Sequence, residues 1–450
     1  MNLRLTPTAL HEPGHVINLS DLRPDALAEA EGGRAAPSGL SPLETRWWDQ
    51  AIRDIGSNVV DGRYFGAGRE FGPTVFTRDI ALSAVLSLNR LYAERVWSSL
   101  EFDRELRDRV GWRVVRDSPA AEIAGLPFER TPHDFAGFVG TYHTGDFSRR
   151  TDDVVWLWAA LDWLERNPRL AGEDKWRWAY VTGRRCFSAY YDRFFDPDDG
   201  LYRGQACFVD IMMCGYPSRT EPGATGNARD FLVRHVDDPV DTSRWRPGRF
   251  PATLRESIMG KAASTNALYV LGLGAMARLA ARLGKPDEST AWIHRRDNLI
   301  EAMRREFFRT DGGIRYHKAE DGGWNERQHA LGTALCVLAG VVEGGAARRA
   351  LEVLPRAWWG VPLYDPFYAD NPHVYHNRSA WPFVDALVHL ADRRARPDVV
   401  SREAGVAVLG RACRDARGFR ELTEAGTGRL IGSDHQLWSA AGYCAVVMEP

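Results

Sequence analysis

The sequence predicts an all-α fold: an (α/α)6 toroid of six helical hairpins, with long loops at one face and few short strands. Three observations carry this. Twelve segments place apolar residues at spacings of three and four, their connections alternate between short and long, and no long alternating β pattern competes. The segments run roughly 42–55, 79–93, 95–110, 151–166, 174–194, 263–284, 286–308, 327–342, 345–354, 378–395, 400–416 and 434–448.

In chain order, residues 1–40 are rich in Pro, Gly, Ala and Glu and read as an extended N-terminal arm that wraps the body or is partly mobile. Residues 41–450 read as one barrel domain. Helix starts are marked at Thr151-Asp152-Asp153 and Ser264-Thr265-Asn266, whose side-chain oxygens suit unpaired N–H groups. Stops are marked by Gly284, Gly340 and Gly344-Gly345. ALYVLGLGAMARLAARL is apolar nearly all round and predicts an inner helix; ESTAWIHRRDNLIEAMRREFF is amphipathic and predicts its outer partner. RYFGAG and GIRYH are the segments that could form short strands.

Composition narrows the function. The chain has 450 residues, 44% hydrophobic and 26% charged, which are globular values. Its 58 Lys+Arg against 60 Asp+Glu give a formal charge of -2, so no clustered basic surface for nucleic acid is expected. No uninterrupted apolar run of about 18 residues predicts a membrane span. MNLRLTPTALHEPGH lacks a basic then apolar leader, and six scattered cysteines without a CxxC read as reduced thiols, both fitting a cytoplasmic protein. Sixteen tryptophans fit either a sugar-binding cleft or an aromatic helical core. Trp163, Trp176, Trp178 and Trp292 read as packing between helices.

The long connections, 56–78, 111–150, 195–262, 309–326, 355–377 and 417–433, mix Gly and Pro with aromatic and charged residues. One per hairpin, they would gather at one mouth and build a pocket. Four stretches carry chemistry there. Arg78-Asp79 opens a helix with a fork of donors beside an acceptor, suited to adjacent hydroxyls or, equally, to an ion-paired cap. Asp210, flanked by Phe208, Val209 and Ile211, would be desolvated as a general acid requires, or would be a buried ion pair. Glu421 and Glu424, with His435, Gln436 and Trp438, surround the start of the last helix, or line a solvated turn. Tyr375-His376-Asn377 and Trp381 offer a polar-aromatic face, with core packing the competing fate of Trp381.

Other chemistries lack their residues. Paired Cys/His spacings are absent, so no metal is expected. GxSxG and GxxxxGK[ST] are absent, and Gly66-Ala67-Gly68 lacks the rest of a dinucleotide fingerprint, so no cofactor is expected. Glycoside hydrolysis needs little beyond two carboxylates across a polar-aromatic pocket.

From about Phe65 to Tyr443 the chain resembles the six-hairpin glycosidases, the group holding trehalases, glucosidases, glucoamylases and α-L-rhamnosidases. VFTRDI is similar to the group's Trp-x-Arg-Asp segment, which implies that Arg78 and Asp79 hold hydroxyls of the cleaved sugar. RTDDVVWLWAALDWL resembles the helix opening toward the pocket, implying roles for Asp153 and Trp156. TNALYVLGLGAMARLAARLGKPDE resembles an inner-helix hairpin, and YHNRSAWPF the Tyr-His-Asn-x-x-Trp-Pro segment, which brings in His376, Asn377 and Trp381. FRELTEAGTG followed by SDHQLWSAAGY is similar to the element carrying the general base, matching Glu421 with Glu424 in reserve and Gln436 and Trp438 beside them. DDGLYRGQACFVD resembles the segment bringing the acid, matching Asp210, with Asp153 and Glu256 as alternatives. No flanking β-sandwich module, common in that group, is visible.

The resemblance implies an inverting, exo-acting glycosidase on a short oligosaccharide or small glycoside. Two other classes use the same surface: an epimerase or uronate lyase moving protons through His376 or His435, and a non-catalytic sugar-binding protein.

Overall fold

The computed structural model describes residues 3–22, 34–71, 75–110, 151–189, 191–204, 206–208, 216–217, 225–226, 260–319, 322–368, 374–415 and 417–449. Among these, twelve principal helices follow the predicted segments. They are α1 (Pro42–Ser57), α2 (Thr77–Ser83, prolonged by a π turn Ala84–Leu88 and by Asn89–Leu91), α3 (Ala93–Val110) and α4 (Asp152–Arg166). Next come α5 (Glu173–Ala189), α6 (Ala263–Arg282), α7 (Pro286–Phe307) and α8 (Ala330–Leu338). The last are α9 (Gly344–Glu352), α10 (Pro382–Ala395), α11 (Arg402–Gly410) and α12 (Leu437–Val447).

The even-numbered helices close a ring. Each of α2, α4, α6, α8, α10 and α12 packs on the next, and α12 returns to α2. The odd-numbered helices lie outside. Burial follows the predicted division: all eleven residues of α12 are buried, against five of the twenty-two in α7. Each buried Leu, Val or Phe contributes roughly 1.5–3 kcal/mol, so a helix apolar all round is stable only inside such a ring. Trp163 and Trp176 pack in the core, and the partly buried Trp178 and Trp292 pack against it. Outer α1 starts with a capping box, in which Ser41 N donates to Glu44 Oε2 (2.8 Å) and Glu44 N to Ser41 Oγ (3.3 Å).

Described parts of the long connections bond to the starts of inner helices. Leu437 N of α12 donates to Ala67 O (2.9 Å), Ala263 N of α6 to Tyr316 O (3.1 Å) and Ala330 N of α8 to Leu363 O (3.0 Å). Short antiparallel pairs complete the stitching: Gln328–His329 with Tyr364–Asp365, and Ser379–Ala380 with Leu422–Glu424, which also pairs Leu430–Ile431. Helix N-termini favour carboxylates nearby, so the starts of these inner helices suit acidic groups.

Several local expectations change. Helices α8 and α10 start at Ala330 and Pro382 rather than 327 and 378, because Gln328–His329 and Ser379–Ala380 pair as strands. Thr151 makes no side-chain cap bond to α4, since Asp152 and Asp153 turn to arginines on neighbouring helices. Ser264 and Asn266 likewise serve another segment: Ser264 Oγ accepts from Cys207 N (3.1 Å) and Asn266 brackets Tyr202 N and O (2.8 and 3.0 Å). The N-terminal segment holds a three-stranded antiparallel sheet, Arg4–Leu5, Ala9–Glu12 and His15–Asn18. Buried Leu10 and Ile17 dock it, and Glu12 pairs with Arg411 and Arg414 (2.9 and 2.8 Å).

Candidate active site

Glu421 immediately precedes the strand Leu422–Glu424, so the register of that small sheet sets where its side chain stands. It is buried. Tyr375 Oη donates to its Oε1, Ser433 N donates to its Oε2 (2.8 Å), and its own N–H returns to Ser433 O (3.1 Å). Gly432 has a left-handed φ of 80°, and a Cβ there would run into Glu421 Oε2. Glycine is therefore needed for the carboxylate to sit this close to the backbone. Three residues on, Glu424 is differently placed. Arg429 Nε (3.0 Å) and Thr427 Oγ1 (2.7 Å) bond the same oxygen, Oε2, and these bonds hold its carboxyl below the ordinary value.

An aromatic wall stands beside Glu421. His376 lies parallel to Trp381, with ring centroids 5.3 Å apart and planes 11° off. Trp438 stacks on Phe383 (4.1 Å, 20°) and meets Trp381 edge-on (5.8 Å). The edge of Phe208, held at φ 55°, packs among all four rings. Trp381 Nε1 donates to Tyr375 O and to Ser379 Oγ, both at 3.1 Å. Asn377 accepts from Tyr368 N and donates to Tyr368 O, each at 2.8 Å, which ties these two residues together. Gln436, with its amide oriented to satisfy both neighbours, donates to Ala67 O (3.3 Å) and accepts from Trp438 Nε1 (3.0 Å).

An ionic wall continues from α2 to α4. Arg78 Nε is 3.6 Å from Asp152 Oδ1, and Arg104 of α3 pairs with Asp153; all four are buried. Asp79 is buried beside Arg78 in the first turn of α2. The Arg104 guanidinium lies 5.2 Å from the Trp156 ring, whose Nε1 donates to Leu100 O (3.0 Å). Asp153 and Trp156 thus sit in the seam between α3 and α4. Burial pushes the Asp103 carboxyl well above its ordinary value despite Arg104 beside it.

The structure therefore brings Glu421, His376, Trp381, Gln436 and Trp438 into one wall, and Arg78, Asp79 and Asp153 into another. Asp210 and Glu256 lie outside the described residues. Sequence reasoning missed Tyr375 and Ser433 as the groups seating Glu421; Tyr375 was visible only as the neighbour of His376. Two further histidines, His317 and His329, are lowered to about 3 by burial and are neutral. Among the described residues no group of three or more His, Cys, Asp or Glu side chains could hold a metal ion. Nor is any helix of the described residues long and apolar enough to cross a membrane.

No family model and no curated protein sequence matches the chain. Solved structures do. The GH63 mannosylglycerate hydrolase of Thermus thermophilus, in complex with Tris and D-glycerate, is similar with TM-score 0.60 and 17% identity, over 89% of this chain and 99% of that one. In its complex with glucose the values are 0.57 and 19%, over 88% and 98%. An uncharacterized conserved protein of the same organism gives 0.61 and 18%, over 89% and 99%. These likenesses establish the fold as that of an (α/α)6 toroid.

Proposed function

We propose that the protein is an inverting glycoside hydrolase removing a terminal sugar from a short oligosaccharide or glycoside. The observation that carries this reading is the seat of Glu421, a buried carboxylate oriented by Tyr375 and Ser433 at the mouth of the ring, beside an aromatic wall. A general base needs one fixed orientation toward its water. Glu424, engaged by Arg429 on the turn, fits that role less well.

In the proposed reaction Glu421 takes a proton from water as the water attacks the anomeric carbon. Asp210, two residues beyond Phe208, gives its proton to the leaving oxygen as the glycosidic bond breaks; Glu256 is the alternative acid. The two carboxyl groups would stand about 6.5–9.5 Å apart, leaving room for the water. Arg78 and Asp79 would bind hydroxyls of the terminal sugar, with Asp153 and Trp156 supporting them from behind. Trp381, Trp438 and His376 would offer stacking or cover, and Asn377 and Gln436 would hold that wall in place.

The test is a screen of aryl glycosides, disaccharides and, because two similar structures are of a mannosylglycerate hydrolase, glycosides of small hydroxy acids. The expected outcome is a new reducing end whose first-formed anomer is inverted, with Glu421→Gln and Asp210→Asn each nearly inactive. Turnover at the normal rate in both variants, or a retained anomer, would overturn the assignment. Product of unchanged mass would indicate an epimerase, an ultraviolet-absorbing double bond a lyase, and saturable binding without product a sugar-binding protein.

A further inference from the structure

The segment carrying Glu421 is gripped at both ends by one carboxylate of an outer helix. Asp54 of α1 is fully buried and accepts from Phe419 N (2.6 Å), Gln50 Nε2 (2.6 Å) and His435 Nδ1 (2.7 Å). Phe419 stands two residues before Glu421, and His435 two after Ser433, whose N–H seats Glu421. Gln436 N closes the loop on Phe419 O (2.8 Å). His435 has a left-handed φ of 47°, and Asn58 Nδ2 donates to its carbonyl (2.5 Å). Gly418, at φ 71°, leaves space that a Cβ would take from both Asp54 and the His435 ring. Backbone in this region persists only where the surroundings over-determine it.

We propose that Asp54 and His435 form a clamp that fixes where the Glu421 carboxylate stands, making Asp54 a positioning residue for the reaction proposed above. The clamp is a matter of geometry; its catalytic consequence rests on Glu421 being the base. A carboxylate suits the task because it accepts several donors at once, and its bond to an imidazolium is charge-assisted. The bond to Asp54 raises His435 above its ordinary value, while burial pushes Asp54 up. The raised His435 keeps its proton at pH values where a free imidazole has released it. Arg69 and Asp434 face the imidazole. Cys413 and Cys444 lie by the carboxylate as thiols that burial keeps neutral, with Arg53 and Asp415 near Cys413. Because the folded-state value of His435 is raised, its stabilising share is full below the ordinary imidazole value and lost as pH rises through the raised one.

The experiment compares wild type, Asp54→Ala and Asp54→Asn by kcat and KM against pH, hydrogen exchange of the Ser433 amide, and NMR titration of His435. In Asp54→Ala we expect kcat to fall at least about tenfold with KM little changed, the mark of a displaced reacting group. The Ser433 amide should exchange at least about tenfold faster, and His435 should titrate at lower pH. Asp54→Asn keeps an acceptor for Phe419 N, so its kcat should fall less, and its alkaline decline should differ from wild type. Unchanged Ser433 exchange and His435 titration in Asp54→Ala would overturn the clamp; if that variant does not fold, the same two measurements on Asp54→Asn decide. Turnover retained by Glu421→Gln would remove the base assignment while the exchange result still judges the clamp.

Discussion

Two buried walls at the starts of inner helices hold their carboxylates by different means. At the starts of α2 and α4 acids meet guanidinium groups: Asp152 with Arg78, Asp153 with Arg104. Along the segment from Tyr375 to Trp438, Glu421 is seated by a phenol and a backbone amide, and its neighbours are stacked rings. Both sets are buried, so burial alone does not mark a reactive acid. What differs is the bonding. Removing one member of a buried ion pair strands the other in a medium that penalises charge. Removing the charge of an acid seated by such donors disturbs the chemistry far more than the packing.

This contrast predicts opposite phenotypes. The largest effect is on turnover: Glu421→Gln should lower kcat by about 10²–10⁴, the usual worth of general acid–base help, while its circular dichroism and unfolding midpoint stay at wild-type values. Asp153→Ala should do the reverse. With the buried Arg104–Asp153 pair broken, chemical denaturation should show a loss of about 3–5 kcal/mol. A Glu421→Gln protein that unfolds early, or an Asp153→Ala protein as stable as wild type, would erase the distinction between the walls.

Much of the fold is legible in sequence because the ring is written in local periodicity. ALYVLGLGAMARLAARL has to be surrounded, and α6 is; ESTAWIHRRDNLIEAMRREFF can bury only a stripe, and α7 does. What fails is what depends on a distant partner. Gln328–His329 and Ser379–Ala380 look like helix until Tyr364–Asp365 and Leu422–Glu424 pair with them. Thr151-Asp152-Asp153 looks like a cap because Arg78 and Arg104 are on other helices. The same limit governs the site. Glu421 and Glu424 are three residues apart in one loop, yet Tyr375 seats the first and Arg429 engages the second. Asp54 is 381 residues from His435, beyond any local pattern.

Two weaker perturbations sharpen the comparison. Glu424→Gln breaks a partly exposed pair on the turn and should leave kcat and the unfolding midpoint where they are, since such pairs contribute little. A loss of turnover as deep as that of Glu421→Gln would exchange the two residues' roles.

Asp385 of α10 is a buried acid of a third kind, bonded through one oxygen to Val361 N (2.7 Å). Burial pushes its carboxyl up to about 7, against the Val361 amide and the charges of Arg411 and Arg356. The folded chain therefore keeps a proton that the unfolded chain releases at the ordinary carboxylate value. By linkage its contribution is full below that ordinary value and lost as pH rises toward 7. Asparagine preserves an acceptor for Val361 N and does not titrate. Denaturation midpoints of Asp385→Asn, measured from pH 4.5 to 8, should thus gain on wild type as pH rises, with kcat unchanged throughout. A constant difference across that range would mean that Asp385 is already ionised in the folded protein, and that its environment is closer to the ionic wall than to an apolar seat.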